Sequence, residues 1–314
     1  MPDIVIAFFA LGLCAGLIKS DLKVPASLYD TLSILLMLVL GLKGGLALHG
    51  KFDSAMLADL IPIAALGVLL PLCCYPVLRR AVRLDPDNAA SVAAHYGSVS
   101  AGTFAVVMAM SERAGLALAP ETTLYLVMLE LPAIVVMLWL HRRLQQGVGG
   151  DAGASHGVLR EALTSRGVML LGGGVLIGYL YGPAGLESLA PILLGGFKTM
   201  LALFLLEMGL CTARVCSPFP LAHWRLVLFA AAAPFALAWA GIGTGVLLGL
   251  PQGSTTVLAG LTASASYIAA PAAIRSAVPR ADIGLAMLAA LGVTFPVNVF
   301  IGLPLYARWV AAFY

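Results

Sequence analysis

The chain has 314 residues, of which 61% are hydrophobic and only 11% charged, with a mean hydropathy of +0.99. That balance excludes a soluble globular domain. The net charge of +3 is small and unevenly placed, so it reports membrane topology and excludes a nucleic-acid surface or soluble regulator.

Apolar stretches able to cross the ~30 Å hydrocarbon core recur from end to end. Ten spans are predicted: 3–19, 27–48, 55–78, 88–110, 120–140, 167–182, 189–212, 222–249, 254–275 and 283–312. No Lys or Arg precedes span 1, so it is not read as a signal peptide. Leu11-Gly12-Leu13-Cys14 lacks the small residue a lipoprotein cleavage box needs before its cysteine. Span 2 carries Lys43 beside Gly44 and Gly45, which reads equally as a counter-ion or a snorkelling lysine.

Span 4 is interrupted by Tyr96-Gly97-Ser98-Val99-Ser100-Ala101-Gly102-Thr103, with His95 just before it. Small hydroxyl residues and glycine weaken a helix there and leave backbone N–H and C=O groups free. Lipid tolerates such groups only where they line a cavity. His95 reads as an interhelical hydrogen bonder ahead of a proton carrier. Span 5 holds Glu130 before Leu131-Pro132. An ionisable group at that depth costs about 2.5–3.5 kcal/mol on insertion scales, which makes it a functional candidate. Glu130 can hold Na+ with carbonyls freed by the proline kink, or be neutralised by Lys43 or Lys198.

The hydrophilic linker 146–165 separates a first half, 1–145, from a second, 166–314. Span 7 carries Lys198 and Glu207, and Glu207 reads as a structural ion pair with a partner other than Lys198. Span 9 is interrupted by Thr262-Ala263-Ser264-Ala265-Ser266-Tyr267, its Ser-x-Ser lying 166 residues after the first. Span 10 holds Pro296 and, two residues later, Asn298, a cation ligand or a helix–helix hydrogen bonder. Cys14, Cys73, Cys74, Cys211 and Cys216 have no metal-like spacing and read as packing residues.

Loops after the odd-numbered spans hold Lys19, Lys23, Arg79, Arg80, Arg83, Arg142, Arg143, Arg160, Arg166, Arg214, Arg225, Arg275 and Arg280. The other face holds only Lys51, Arg113 and Arg308. The basic face is therefore read as cytoplasmic, with both termini outside. Five spans per half make the second half insert upside down. Thr31–Leu42 aligns with Thr199–Leu210, Leu131-Pro132 with Phe295-Pro296, and the two breaks with each other. The expected fold is an all-α membrane protein of ten helices in two inverted five-helix repeats, with broken crossing helices 4 and 9.

Each break exposes the N-terminus of a half-helix, equivalent to roughly +0.5 charge. Two such ends form an anion site that needs no arginine. Expected substrate contacts are Gly97, Ser98, Val99, Ser100, Gly102, Thr103, Ser264, Ala265, Ser266 and Tyr267; expected cation contacts are Glu130, Asn298, Ser98 and Ser264. Packing is the competing reading of any single serine.

Gly41-Leu42-Lys43-Gly44-Gly45, the Gly-Ser-Val-Ser run from Gly97, Tyr125 through Pro132, and Ser264-Ala265-Ser266-Tyr267-Ile268-Ala269-Ala270-Pro271 with Arg275 resemble the sodium-dependent bicarbonate transporter family. The resemblance is to the cyanobacterial-type symporter superfamily in a heterotroph-like variant, and runs from about residue 4 to the C-terminus. It implies ten helices in core and gate domains, sodium-coupled bicarbonate uptake across the bacterial cytoplasmic membrane, a homotrimer, and a small PII-like regulator at the cytoplasmic face. It implies no cofactor beyond Na+ as coupling ion. Glu130 matches the family's aspartate before Ile-Pro. Tyr267 and Ala269-Ala270-Pro271 stand where bicarbonate-transporting members carry an aspartate and Gly-Pro-Pro. A small organic anion such as a monocarboxylate, coupled to Na+ or H+, is therefore the alternative substrate. An enzyme is disfavoured, since no Ser-His-Asp order, paired catalytic carboxylates or His-Glu-x-x-His run occurs; a Ser-Lys dyad stays open. No filter-like repeat suggests a channel.

Overall fold

In lipid a backbone must satisfy its own hydrogen bonds, which leaves helices as the way to bury these apolar stretches. The computed structural model describes residues 4–50, 54–145, 164, 166–217 and 221–314, and every regular element among them is helical. The expected linker 146–165 lies, apart from Thr164, outside the described residues.

The first half comprises α1 (Ile4–Leu17), α2 (Ala26–Leu48) and α3 (Ser54–Val77), which runs on through a π-helical turn, Leu78–Val82. It continues with α4 (Pro86–Gly97), α5 (Ala101–Arg113) and α6 (Leu124–Gln145). The second comprises α7 (Arg166–Gly185), the single turn α8 (Ala190–Leu193), α9 (Phe197–Val215) and α10 (Trp224–Leu247). It ends with α11 (Gln252–Thr262), α12 (Ala269–Ala277) and α13, continuous from Ile283 to Ala311 through two π-helical stretches. Among the described residues seven helical segments are long and apolar enough to cross a membrane, and α4 with α5 counts as one of them. The expected spans 1 and 6 are shorter apolar helices, and the expected ninth span is divided between α11 and α12.

Two groups of helices emerge from the packing. In one, α2 lies along α7, α1 along α9, and α9 against α2. Both long contacts are backbone on backbone at glycine. A methyl group on Gly41 would come within 2.5 Å of the Leu171 carbonyl oxygen on α7, and one on Gly209 within 2.2 Å of the Phe9 carbonyl oxygen on α1. In the other group α3 packs on α4 and α6, and α10 on α11 and the π-helical part of α13, with α5 against α11 at the centre. This centre is well enclosed: every residue from Gly253 to Thr262 is buried.

Two expectations about charge change here and a third is met. Lys43 is not Glu130's partner: its Nζ lies 2.9 Å from Glu112 Oε1 and 4.8 Å from the Phe197 ring centroid. Lys198 is exposed and does not neutralise Glu130 either. Glu207 has the partner that span 7 called for, because Arg214 Nη2 donates to its Oε1 at 2.7 Å.

Candidate solute site at two helix breaks

Asp85 starts α4: its carboxylate accepts the Asp87 and Asn88 N–H groups, and Pro86 occupies the first helical position. The helix stops at Gly97 because Ser98 turns extended (φ −79°, ψ 144°). Ser100 is also extended, and its Oγ accepts the Thr103 N–H at 3.0 Å as the N-cap of α5. In the other half α11 stops at Thr262, and α12 starts at Ala269, with Ser266 Oγ accepting the Ala270 N–H.

The two interruptions satisfy each other. Ser266 N–H donates to the carbonyl oxygens of His95 (2.7 Å) and Ser98 (3.1 Å). Ser100 N–H donates to Ser264 Oγ (2.9 Å), which itself donates to the Leu261 carbonyl at 2.7 Å. Asn298 Nδ2 donates to the Ala263 carbonyl at 2.7 Å, while its Oδ1 accepts the Tyr306 hydroxyl at 2.9 Å. Backbone groups that a broken helix leaves open are thus partly closed by the opposite break.

Between the breaks lies a cavity lined by Val99, Ser100 and Ala101 on one side and Ser266, Tyr267, Ile268 and Ala269 on the other, with Glu130 of α6 and Met37 of α2. The first residues of both α5 and α12 therefore front it. About 10 Å³ is open to the centre of a water-sized sphere, space for one water. Glu130 is 4% exposed, and no ion pair found among the described residues includes it. Tyr267 packs edge-on against Phe295 at 5.4 Å. Its hydroxyl lies beside Ser100 and the Gly102 backbone, so close that a methyl group on Gly102 would sit 2.0 Å from it, yet it makes no well-formed hydrogen bond.

Of the expected substrate contacts, Val99, Ser100, Ser266 and Tyr267 line this cavity. Ser264 and Ser98 are tied to it through the bonds above, and Gly102 through Tyr267. Thr103 and Ala265 are buried just behind, and Gly97 packs against Pro71 and Ala133. Of the expected cation contacts only Glu130 fronts the cavity; Asn298 has both ends of its amide engaged elsewhere. Sequence reasoning missed Met37, Ala101, Ile268 and Ala269, apolar residues that carry no signal of their own. It also missed the Tyr96 hydroxyl, 2.6 Å from Thr294 Oγ1. His95 Nδ1 lies 2.7 Å from the Ser91 carbonyl in its own helix, an intrahelical bond where an interhelical one was expected.

Four polar atoms around the breaks are buried without a hydrogen-bond partner: Ser98 Oγ, Thr103 Oγ1, His95 Nε2 and the Tyr267 hydroxyl. Buried polar groups are as a rule paired with protein or with water, so four left open at one place mark the breaks as a spot suited to a polar guest. The sequence pattern of the Na+-dependent bicarbonate transporter superfamily matches residues 4–311, nearly the whole chain. The chain belongs to that superfamily. No curated protein is a significant match. Membership in the bicarbonate transporter superfamily, with seven helical segments long and apolar enough to cross a membrane among the described residues, fits a multi-pass membrane transporter.

Proposed function

We propose that the protein is a secondary transporter that carries bicarbonate, or an anion of similar size, into the cell together with Na+. The observation that carries this reading is the cavity where the starts of α5 and α12 converge on one buried carboxylate. Each helix start contributes roughly half a positive charge. Together they roughly balance an ionised Glu130, so an anion arriving alone meets a site with no net attraction. A cation beside Glu130 removes the opposing charge and lets backbone N–H groups and the Ser100 and Ser266 side chains replace the anion's water. Coupling follows from this electrostatic balance, because neither ion is held well without the other.

Supporting the ten-helix inverted arrangement, packing in one half has its counterpart in the other. Span 2 on span 6 answers span 7 on span 1, and Gly41 and Gly209, aligned in sequence, make the two close contacts. The group α1, α2, α7 and α9 is read as the gate and the remainder as the core. The cavity holds about one water, so the solute enters only when Met37 on α2 and the core move apart. With basic loops inside, both termini face out of the cytoplasmic membrane.

Tyr267 favours one second reading. An aromatic ring and unpaired hydroxyl where a carboxylate is expected suit a small monocarboxylate. Uptake of labelled bicarbonate into proteoliposomes, with and without an inward Na+ gradient and with competing small acids, tests both. Na+-driven bicarbonate uptake is expected. Uptake indifferent to Na+ contradicts the coupling, and monocarboxylate uptake with no bicarbonate uptake replaces the substrate.

A further inference from the structure

Away from the breaks, α3 and α10 enclose a groove of about 720 Å³ on the outer surface of the helix assembly. Its apolar part is shaped by small side chains, with Ala232, Ala233 and Ala236 of α10 opposite Cys73 and Val77 of α3. Val77, Cys73, Ala232 and Ala236 are exposed, so the groove opens sideways, toward lipid. At one end stand three arginines, Arg80, Arg83 and Arg225, beside Trp224, which is 58% exposed.

The local fold puts these cations there. The π-helical turn Leu78–Val82 inserts an extra residue into the end of α3, and Arg83 closes it in the left-handed region (φ 67°). Arg79 turns inward to the Leu84 carbonyl, while Arg80 and Arg83 front the groove. The Arg225 guanidinium lies 5.3 Å from the Trp224 ring centroid. None of the three arginines takes part in an ion pair found among the described residues. Paired tryptophan and arginine at a helix start mark the depth of lipid headgroups.

We propose that this groove is a binding site for an anionic phospholipid, its phosphate held by Arg80, Arg83 and Arg225 and one acyl chain lying between α3 and α10. Length supports that occupant. From Trp224 to Leu237 α10 rises about 20 Å at ~1.5 Å per residue, and one leaflet's hydrocarbon is about 15 Å thick. A free phosphate leaves the apolar part of the groove unfilled. A second copy of the chain would have to bring acids to three arginines, and among the described residues three acids near this end, Asp85, Asp87 and Asp282, are already engaged. Asp85 caps α4, Asp87 Oδ1 lies 2.7 Å from His141 Nε2, and Asp282 caps Gly284. The floor of the groove reaches the transport unit. Phe229 meets the Tyr96 ring edge-on at 5.0 Å, one residue before Gly97 ends α4. The site stands whichever solute is carried.

Intact-protein mass spectrometry of the purified full chain measures the occupant. Phosphatidylglycerol is expected to be retained about tenfold better than phosphatidylcholine of the same chains. The preference is expected to vanish in Arg80→Gln/Arg83→Gln/Arg225→Gln and to survive Arg143→Gln. Exposed Cys73 reports the acyl chain, and should react with a maleimide more slowly in phosphatidylglycerol than in phosphatidylcholine nanodiscs. Ala232→Trp, which fills the groove and keeps every arginine, should abolish retention even if the triple variant does not fold. Equal retention of the two lipids, retention unchanged in Ala232→Trp, or displacement by inorganic phosphate alone overturns the proposal. So does cross-linking of Cys73 between two copies, which would put a second chain in the groove.

Discussion

Gly102 sits where no side chain fits. A methyl group there would meet the Tyr267 hydroxyl at 2.0 Å, so Gly102→Ala is expected to overpack the crossing, costing about 1–3 kcal/mol of stability. It should also slow uptake by at least about tenfold, the rate equivalent of ~1.4 kcal/mol. Tyr267→Phe removes the clashing atom, and the double variant should recover stability that the single variant loses. Melting curves of the three proteins check this, and a double variant no better than Gly102→Ala refutes the contact. Glu130 was legible in the sequence because a lone carboxylate in an apolar helix is costly anywhere else. Asn298 was only half legible: its polarity marked it, but its partners are the Ala263 carbonyl at the second break and the Tyr306 hydroxyl about two turns along its own helix. Asn298→Ala leaves a buried carbonyl and a buried hydroxyl each short of a partner, and should lower stability by about 1–3 kcal/mol.

At the scale of elements, the broken helices were readable from local chemistry. Gly97, Ser98 and Ser100 compete with helical bonding, and the capping that Ser100 and Ser266 perform is what short polar side chains do best. What no local rule predicts is that each break is closed by the other through Ser264 and Ser266. The start of α4 offers a further check. Partial burial alone would raise the Asp85 carboxyl, but hydrogen bonds from Asn88 and Asp87 outweigh it and hold the group below the ordinary carboxylate value. Asp85→Ala should therefore cost about 1 kcal/mol at neutral pH. A depressed folded value stabilises above the unfolded one, near pH 4, and that benefit fades as pH falls through the folded value. Wild-type and variant melting temperatures should converge on acidification; a gap that stays constant argues against capping by the ionised group.

For the whole molecule, hydropathy read out the membrane class. Which helices make up each of the two groups was not readable from the residues, since it rests on which apolar faces meet. Nor was Lys43–Glu112, which joins α2 of one group to the end of α5 in the other. The pair is part exposed (25% and 39%), so it belongs with surface ion pairs of about 0–1 kcal/mol. Lys43→Gln is expected to change uptake no more than about fivefold, the factor that ~1 kcal/mol sets. A complete loss would mean that the lysine touches the solute. Central to the account is that anion and cation share the space between the breaks, each making the other's binding possible. By linkage, the two must raise each other's affinity equally. The most direct measurement is the heat-unfolding temperature of the purified protein in bicarbonate, with Na+ or a bulky organic cation, for wild type and Glu130→Gln. Bicarbonate should protect wild type only when Na+ is present, and the Na+ requirement should disappear in Glu130→Gln. Equal protection with either cation, or an unchanged Na+ requirement in the variant, contradicts a shared site at Glu130.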